Sequence, residues 1–331
     1  MIPVCADAPS VSARHAILMD ADTGAVLYEK DADAQSLIAS TTKIMTGLLV
    51  CESCDLDEKV TVIADAVGIE GSSVYLKAGE TLTVRDLLYG MLLHSGNDAA
   101  TALALHISGS VEQFAEQMNK KARELGLQNT HFANPHGLDD EGNYGSARDL
   151  ATLTSYALKN PDFAQAVRTK SYRAGERYFT NHNKLLWRCE GAIGVKTGFT
   201  KKAGRILVSA AERNGRTLIC VTIGAPDDWN DHSKLLDYGF SRYVMLKIAA
   251  KGEVLCTVPI AADTAREAPL IAQEDVVFPL LAGEQIACRF RQNELILAPF
   301  MKGDRAGTAV LYLGETEIAS VRVIWGATVL N

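Results

Sequence analysis

Residues 40–50 read STTKIMTGLLV, a polar tetrad that leads directly into an apolar run. A run of this kind predicts a helix, and Ser40 would cap or open that helix. Lys43 then falls three residues after Ser40 on the same helical face, so its amine can come within hydrogen-bonding reach of the serine hydroxyl. These two groups are the minimum that a serine nucleophile with its own base requires.

Two further motifs follow the tetrad in the chain. Ser95-Gly96-Asn97 is a Ser-x-Asn triplet and Lys196-Thr197-Gly198 is a Lys-Thr-Gly triplet, and each occurs once. About one Ser-x-x-Lys is expected by chance in a chain of this length, with a capping serine and a solvated lysine as its ordinary roles. The ordered set of three is typical of class A β-lactamases and penicillin-binding proteins, where Asp is the usual middle residue of the second motif.

Composition limits the class of protein. The 331 residues are 47% hydrophobic and 22% charged, which predicts a globular protein with a large core. A net charge of −7 without a long basic stretch argues against nucleic acid as the main partner. No window approaches the roughly 18 apolar residues of a membrane span. Residues 1–7 resemble the end of an export signal, so an extracytoplasmic protein of the cell envelope or periplasm is expected.

Seven cysteines cannot all pair within one chain. Five lie in apolar surroundings and are expected to be small buried hydrophobes: Cys5, Cys189, Cys220, Cys256 and Cys288. Cys51 and Cys54 form a C-x-x-C, which is typical of a redox pair or half of a zinc site. No matching pair follows at zinc-finger spacing, so a structural role is favoured, and no metal or cofactor is expected. Many free thiols in an exported chain indicate a reducing habitat.

Periodicity places strands at both ends of the first 250 residues and helices between them. Residues 16–20 and 26–29 predict a hairpin, and three strands are predicted at 193–199, 204–211 and 217–224. The region 81–125 reads as helices interrupted by the Ser-x-Asn triplet, where Gly96 suits a bend. Residues 231–247 predict a helix that covers the sheet. The fold class is therefore α+β, an antiparallel sheet closed by distant segments with a helical cluster on it.

A second domain is predicted after residue 250. Short alternating runs there predict strands at 253–259, 287–291, 294–298, 309–313 and 317–324, separated by glycines. Residues 1–250 would form the domain that carries the three motifs, and residues 251–331 a small β-sandwich-like domain. No chemistry is predicted in the second domain.

Longer segments around the motifs resemble the low-molecular-mass penicillin-binding proteins, specifically the serine D-alanyl-D-alanine carboxypeptidases. The resemblance runs from about residue 10 to the end and is carried by residues 129–138, 181–186, 194–204 and 298–304. It implies a β-lactamase/transpeptidase-like fold, a peptidoglycan stem peptide ending in D-Ala-D-Ala as substrate, and acylation by β-lactam antibiotics. Family members often end in an amphipathic membrane anchor, whereas residues 321–325 read as a strand. Peripheral membrane association is expected if the chain is truncated at its C-terminus.

The expected chemistry begins with Ser40, which would attack a carbonyl carbon to form an acyl-enzyme. Lys43 can activate Ser40 only as a free amine, so its pKa must fall from about 10.4 towards neutrality. Burial beside a second cation lowers the pKa of a lysine, and Lys196 is the candidate. Ser95 is expected to relay a proton from Lys43 to the leaving amine, and Asn97 to orient the lysine and the substrate amide.

The Lys-Thr-Gly strand is expected to bind the substrate. Lys196 and Thr197 would grip the terminal carboxylate, while Gly198 lets the substrate backbone pair against the strand. The resemblance implies an oxyanion hole made of the backbone N–H groups of Ser40 and Phe199. It also implies a basic residue near the cleft, and for His182 a carboxylate-binding role and simple packing both stay open.

Three related activities compete with the carboxypeptidase. A class A β-lactamase needs a glutamate that activates the deacylating water. The nearest look-alike, Glu124, begins a segment that ends in Gln128 and reads as a helix terminus, so the carboxypeptidase is preferred and bound penicillin should be released slowly. An endopeptidase that cleaves cross-bridged peptides and a penicillin-sensing module that acylates without turnover remain open.

Overall fold

The central sheet joins the first strands of the chain to strands nearly 200 residues later. The computed structural model describes residues 8–260, 263–290 and 299–330. The chain divides into two compact units, Val4–Phe240 and one that includes Ser241–Asn331. The division falls after residue 240, whereas the sequence predicts it after residue 250.

The first unit contains one large sheet and three small two-stranded ones. Its strands are β1 (His15–Asp20), β2 (Val26–Lys30), β3 (Ser36–Leu37), β4 (Lys59–Thr61), β5 (Thr81–Thr83), β6 (Tyr144–Gly145), β7 (Ser171–Ala174), β8 (Arg177–Thr180), β9 (Ala192–Thr200), β10 (Gly204–Arg213) and β11 (Arg216–Ile223). The large sheet is antiparallel with the order β2-β1-β11-β10-β9. It contains the predicted hairpin and the three predicted later strands, and it leaves β9, the Lys-Thr-Gly strand, at an edge.

The helices of this unit form a cluster, and some of them pack directly on the large sheet. They are α1 (Lys43–Ser53), α2 (Val84–Leu93), α3 (Asn97–Ser108), α4 (Val111–Glu124), α5 (Ala147–Ala157), α6 (Pro161–Arg168), α7 (Leu185–Arg188) and α8 (Asp228–Arg242). Several of their starts follow local sequence signals, for example Thr83 and Asp86 in a reciprocal capping box at α2. Among the described residues, no helix is long and apolar enough to cross a membrane.

The predicted helix at 231–247 is wrong in its last part. Helix α8 ends at Arg242, and β12 (Tyr243–Ala249) follows at once. This strand pairs with β15 (Val276–Leu281), from Tyr243 opposite Leu281 to Lys247 opposite Val277, and after a register shift Ala249 lies opposite Val276. The backbone therefore finds its hydrogen-bond partners in a strand that lies about 30 residues further on, a pairing that local periodicity does not reveal. The same pairing assigns β12 to the second unit.

The second unit is all-β. Its remaining strands are β13 (Val254–Ile260), β14 (Asp263–Ala272), β16 (Ile286–Phe290), β17 (Arg305–Leu313) and β18 (Thr316–Trp325). They form a sheet of order β13-β14-β18-β17-β16, and Ala249 and Val276 of the β12–β15 pair pack against Leu311 and Val321 of this sheet. The predicted strand at 294–298 lies outside the described residues.

The cysteines are less buried than the sequence predicts. Cys220 is fully buried, but Cys189, Cys256 and Cys288 are only half-buried. Cys256 on β13 and Cys288 on β16 bring their Sγ atoms to 2.7 Å from each other. Cys5 lies outside the described residues.

Candidate active site

Lys43 is the first residue of α1, and its amine lies at the centre of the site. Helix α1 is buried from Lys43 to Val50, because it is apolar on nearly every side and occupies the middle of the helical cluster. Lys43 Nζ lies 3.0 Å from Ser40 Oγ and 2.7 Å from Asn97 Oδ1, and it also donates to the backbone oxygen of His136. The structure thus brings the predicted nucleophile and the predicted base together.

Ser40 does not cap the helix. It lies in a short 3-10 turn, Ala39–Thr42, and the residue at the start of α1, Thr42, makes no side-chain capping bond. Two glycines allow neighbouring backbone to approach this turn. Gly137 has a φ of +87°, and a Cβ there would lie 1.9 Å from the carbonyl oxygen of Ala39, so only glycine fits. A Cβ at Gly198 would lie 3.3 Å from the backbone nitrogen of Ser40.

The Ser-x-Asn triplet lies at the bend between α2 and α3, as predicted, although the strained residue differs. Ser95 itself has a positive φ of 65°, whereas Gly96 is needed because a Cβ there would meet Val74 at 2.8 Å. Asn97 begins α3, and its side chain donates to the backbone oxygen of Glu70 at 2.6 Å. That bond fixes the amide so that its oxygen faces Lys43.

Strand β9 supplies the second buried lysine. The amine of Lys196 donates to Ser95 Oγ at 3.1 Å and to the backbone oxygen of Thr197 at 2.9 Å. Thr197 is half-buried, and Gly198 faces the Ser40 turn. Because β9 is an edge strand, its outer side is turned towards the nucleophile rather than towards another strand of the sheet.

Both lysines are hidden from solvent, and burial lowers the pKa of each. The pKa of Lys196 falls to about 7. The pKa of Lys43 falls well below its ordinary value, first because of burial and then because of the charge on Lys196, while Asp98 acts in the opposite direction. Both predicted causes of the lowered pKa of Lys43, burial and the charge of Lys196, are therefore present, and burial has the larger effect.

A cleft of about 350 Å³ opens in front of Ser40. Six of the predicted site residues line it: Ser40, Ser95, His182, Thr197, Gly198 and Phe199. The lining also includes residues that were not predicted: Ser72, Lys184, Arg205, Asp228 and Trp229. Lys43, Asn97 and Lys196 lie behind this lining, where they contact Ser40 and Ser95.

Arg205 is the most informative of the missed residues. It pairs in register with Phe199 across β9 and β10, so it shares a sheet face with Phe199 and Thr197. Its guanidinium donates to Asp228 at 2.8 Å and lies over the Trp229 ring, and among the described residues its buried Nε has no hydrogen-bond partner. The predicted strands 193–199 and 204–211 bring Arg205 near Phe199, but the register that sets the two residues opposite each other depends on the turn between the strands.

The two histidines near the cleft are neutral. His182 is exposed at the cleft wall, with its ring centroid 5.0 Å from that of His94. Partial burial, Lys196 and His94 together lower the pKa of His182 to about 4. His136 accepts a hydrogen bond from the backbone N–H of Leu138, and burial lowers its pKa to about 4 as well. A neutral His182 can meet a carboxylate only as a hydrogen-bond donor.

Glu124 does not reach the cleft. It is the last residue of α4 and pairs with Lys120 and Lys121 on the surface. Within the described part of the chain, the one carboxylate that lines the cleft is Asp228, and Arg205 neutralises it.

A serine beside a buried free amine, facing the edge strand of an antiparallel sheet, defines the class of active-site serine enzymes that form acyl-enzymes and recognise penicillin. Residues 3–227 match the family model described as D-alanyl-D-alanine carboxypeptidase, and residues 243–330 match the C-terminal domain of penicillin-binding protein 5. The chain therefore belongs to the D-alanyl-D-alanine carboxypeptidase family and is a serine-type hydrolase.

Similar proteins support this membership along the chain. The D-alanyl-D-alanine carboxypeptidase DacF of Bacillus subtilis is 36% identical over 93% of this chain and 85% of its own length. Penicillin-binding protein 5 from Haemophilus influenzae superposes with a TM-score of 0.83 at 31% identity, over 99% of this chain and all of the other. Penicillin-binding protein 6B from Escherichia coli gives 0.79 at 31% identity, over 98% of each chain. The predicted family and fold class are confirmed.

Proposed function

We propose that the protein removes the terminal D-alanine of peptidoglycan stem peptides through an acyl-enzyme on Ser40. The geometry around Lys43 is the observation that carries the proposal. A neutral amine has two N–H donors and one lone pair. The oxygens of Asn97 and His136 accept the two donors, and the third neighbour of Lys43 Nζ is Ser40 Oγ, where the lone pair can take a proton.

Acylation then proceeds in balanced steps. Ser40 Oγ bonds to the carbonyl carbon between the two D-alanines, and its proton passes to Lys43. The carbonyl oxygen gains negative charge, which we expect the backbone N–H groups of Ser40 and Phe199 to stabilise, since Gly198 lets strand β9 approach the Ser40 turn closely. The C–N bond breaks as the leaving amine takes a proton, and the proton held by Lys43 returns through solvent to the group that supplied it. Water then attacks the ester carbonyl, one of its protons passes to the freed Lys43 amine and from there to Ser40 Oγ as the C–O bond breaks, and Ser40 is regenerated.

Ser95 and Lys196 serve the leaving group. Ser95 lines the cleft and accepts a hydrogen bond from Lys196, so its own hydroxyl proton is free to be donated to the departing nitrogen. Lys196 can replace that proton because its pKa is about 7. Asn97 holds Lys43 in place from behind the cleft lining, and because its amide bonds Lys43 and the Glu70 carbonyl, the expected contact with the substrate amide is not part of this proposal.

We propose that Thr197 and Arg205 bind the terminal carboxylate of the substrate. Lys196, which the sequence predicts to share this role, lies behind the cleft lining and donates to Ser95 instead. Thr197 faces the cleft from the edge strand, and Arg205 lies on the same sheet face with an unpaired, buried N–H group. Asp228 and the Trp229 ring hold the guanidinium in place. His182 adds at most a neutral donor to this subsite.

The substrate and the antibiotics place the enzyme outside the cytoplasm. Peptidoglycan stem peptides lie in the cell envelope, and β-lactams mimic their D-Ala-D-Ala end. We propose that these are the partners of the cleft, and that no cofactor takes part.

The experiment combines two measurements on the purified full chain. D-alanine release from a peptide ending in D-Ala-D-Ala is followed with time, and the penicillin adduct is located by mass spectrometry. We expect turnover of the peptide and a long-lived adduct on Ser40. Rapid penicillin hydrolysis would indicate a β-lactamase. A stable adduct without D-alanine release would indicate a penicillin sensor, and cleavage of cross-bridged peptides faster than D-alanine release would indicate an endopeptidase.

Arg205 is tested separately. Replacing it by Met should lower kcat/KM about 10- to 100-fold, since hydrogen bonds to charged groups contribute about 1.5 to 3 kcal/mol. The loss should be much smaller for a substrate whose terminal carboxylate is an amide, and Arg205→Lys should restore part of the activity. An equal loss on both substrates would remove Arg205 from the carboxylate subsite.

A further inference from the structure

Three potential metal ligands meet at the far end of α1, among residues that do not line the catalytic cleft. They are the thiol of Cys54, the carboxylate of Glu58 and the imidazole of His106, and their ligand atoms all lie within 4.8 Å of one another. His106 Nε2 is 3.2 Å from Glu58 Oε1. Cys54 is half-buried, while Glu58 and His106 are exposed, so a cation can reach the group from solvent.

The fold assembles this group from segments that are distant in sequence. Cys54 ends α1, with its backbone N–H bonded to the carbonyl of Val50. Glu58 directly precedes β4, and His106 lies in the last turn of α3. Zinc-finger spacing does not predict this arrangement, because the residues that meet Cys54 come from a turn and from another helix.

The neighbouring charges leave the group available. Asp57 and Glu52, which lie within two residues of Glu58 and Cys54 in the sequence, pair with Arg85 and Lys121, so these two cations bind carboxylates outside the group. Cys51, the other cysteine of the C-x-x-C, is not a member of the group. The cluster therefore offers one sulfur, one nitrogen and one oxygen ligand.

We propose that Cys54, Glu58 and His106 bind a divalent transition-metal cation of the zinc type. Thiolate and imidazole ligands select Zn²⁺ over Mg²⁺ and Ca²⁺, which prefer oxygen. In a tetrahedral zinc site the ligand atoms are about 3.3 to 3.6 Å apart, so the 3.2 Å between His106 and Glu58 is close to the required separation, and the thiol would have to approach them by side-chain rotation. Binding releases the Cys54 thiol proton to solvent, and water completes the coordination.

The expected consequence is structural. The cation would tie the end of α1 to the start of β4 and to the end of α3, while Ser40 and Lys43 lie at the opposite end of α1. A ligand that binds only the folded state stabilises it in proportion to its concentration above the dissociation constant. Metal binding should therefore raise the melting temperature and leave penicillin acylation unchanged.

Cobalt is the probe, because Co²⁺ bound to a thiolate gives a charge-transfer absorption band and tetrahedral Co²⁺ gives strong visible bands. The full chain, reduced and freed of metal by a chelator, is titrated with Co²⁺ and then with Zn²⁺. We expect both sets of bands to appear at one Co²⁺ per chain and to vanish as Zn²⁺ displaces the cobalt. Absence of a charge-transfer band in the wild type would overturn the proposal.

Matched variants locate the ligands. Cys54→Ser should abolish the charge-transfer band, and His106→Gln should weaken binding at least about tenfold. Cys51→Ser and Cys189→Ser, which alter half-buried thiols outside the group, should retain the bands. Bands that persist in Cys54→Ser, or that disappear in Cys189→Ser, would contradict the assignment. Penicillin labelling of each variant shows that the variant is folded. Because the cobalt bands and the penicillin labelling are measured separately, a failure of metal binding can be told apart from a failure of the proposed activity.

Discussion

The cleft contains two serine–lysine pairs that look alike and differ in chemistry. The Ser40–Lys43 and Ser95–Lys196 contacts measure 3.0 and 3.1 Å, and both amines are hidden from solvent. Burial lowers the pKa of Lys196 to about 7, and Lys43 carries the additional repulsion of Lys196. The same two residue types therefore provide a free amine at Lys43 and an amine that still holds a proton near neutrality at Lys196.

The difference comes from the surroundings. Lys43 lies on a buried helix and faces two fixed oxygens besides its serine, whereas Lys196 lies on an edge strand and faces one. Once Lys196 is charged, protonating Lys43 places a second charge in the same buried space. The pair is thus ordered, with Lys43 the base for attack and Lys196 the donor to Ser95.

Loss of the nucleophile has the largest expected effect. Ser40→Ala should lower D-alanine release by at least about 10⁴-fold and abolish the penicillin adduct. Ser95→Ala should keep the adduct and slow acylation by about 10² to 10⁴-fold, because a relay contributes less than the nucleophile. Adduct mass and release rate are measured for both variants. A covalent adduct on Ser40→Ala would exchange the roles of the two serines.

Removal of the base has the next largest effect. Lys43→Met keeps the length of the side chain and should slow acylation by about 10² to 10⁴-fold, since no other base contacts Ser40 Oγ among the described residues. The measurement is the acylation rate constant with a fluorescent penicillin. A rate near that of the wild type would assign the base to another group.

The same variant has an opposite effect on stability. Because the pKa of Lys43 is lower in the folded state than in the unfolded one, the unfolded chain binds more protons, and the buried amine destabilises the fold at every pH below the unfolded value of about 10.5. Lys43→Met should therefore raise the free energy of unfolding at neutral and acidic pH. The gain should diminish as the pH approaches the unfolded pKa. Denaturant unfolding at several pH values measures this.

Local sequence signals were sufficient for part of the first unit. The helix after Ser40, the helices of 81–125, the hairpin and the three later strands follow from periodicity and turn residues, whereas the helices and short strands between residues 126 and 191 were not predicted. The three motifs singled out Ser40, Lys43, Ser95 and Lys196 before any geometry was known. The tetrad could be recognised because its spacing is fixed by a single helical turn. What it could not reveal is that Ser40 lies before the helix rather than on it.

Long-range contacts were out of reach. Tyr243–Ala249 becomes a strand only because Val276–Leu281 lies beside it, and Gly137 is required only because Ala39 approaches from a distant loop. The carbonyl of His136, a main acceptor for Lys43, has no sequence signature at all, since any residue carries a backbone oxygen. The Cys54, Glu58 and His106 group is hidden for the same reason.

Removing Lys196 should change both the pH profile and the rate of acylation. In Lys196→Met the like charge beside Lys43 is gone, so the pKa of Lys43 should rise and the acidic limb of the acylation profile should move to higher pH. Activity should fall about 10- to 100-fold, because the donor to Ser95 is lost. Penicillin acylation rates across the pH range measure both effects. An unmoved limb would show that burial alone sets the pKa of Lys43.

The smallest predicted effect is that of Asp98→Asn, which should shift the pKa of Lys43 in the direction opposite to Lys196→Met. Asp98 follows Asn97 on α3, and its carboxylate accepts hydrogen bonds from the backbone N–H groups of Val74 and Leu76 and from the Ser73 hydroxyl. Its charge favours the protonated form of Lys43. In Asp98→Asn the pKa of Lys43 should therefore fall, and the acidic limb should move to lower pH, opposite to the shift in Lys196→Met.

Asp98→Asn also weakens the bonds that hold residues 73–76, so we expect a loss of about 1 to 3 kcal/mol in the free energy of unfolding and less than about a tenfold loss of activity. Asp149→Asn is the matched control, because Asp149 is equally buried and hydrogen-bonded but lies at the start of α5, where it accepts from the backbone of Asn129. It should cost similar stability and leave the limb unmoved. If both variants move the limb alike, the shift reflects general loosening of the fold, and the charge of Asp98 does not tune Lys43.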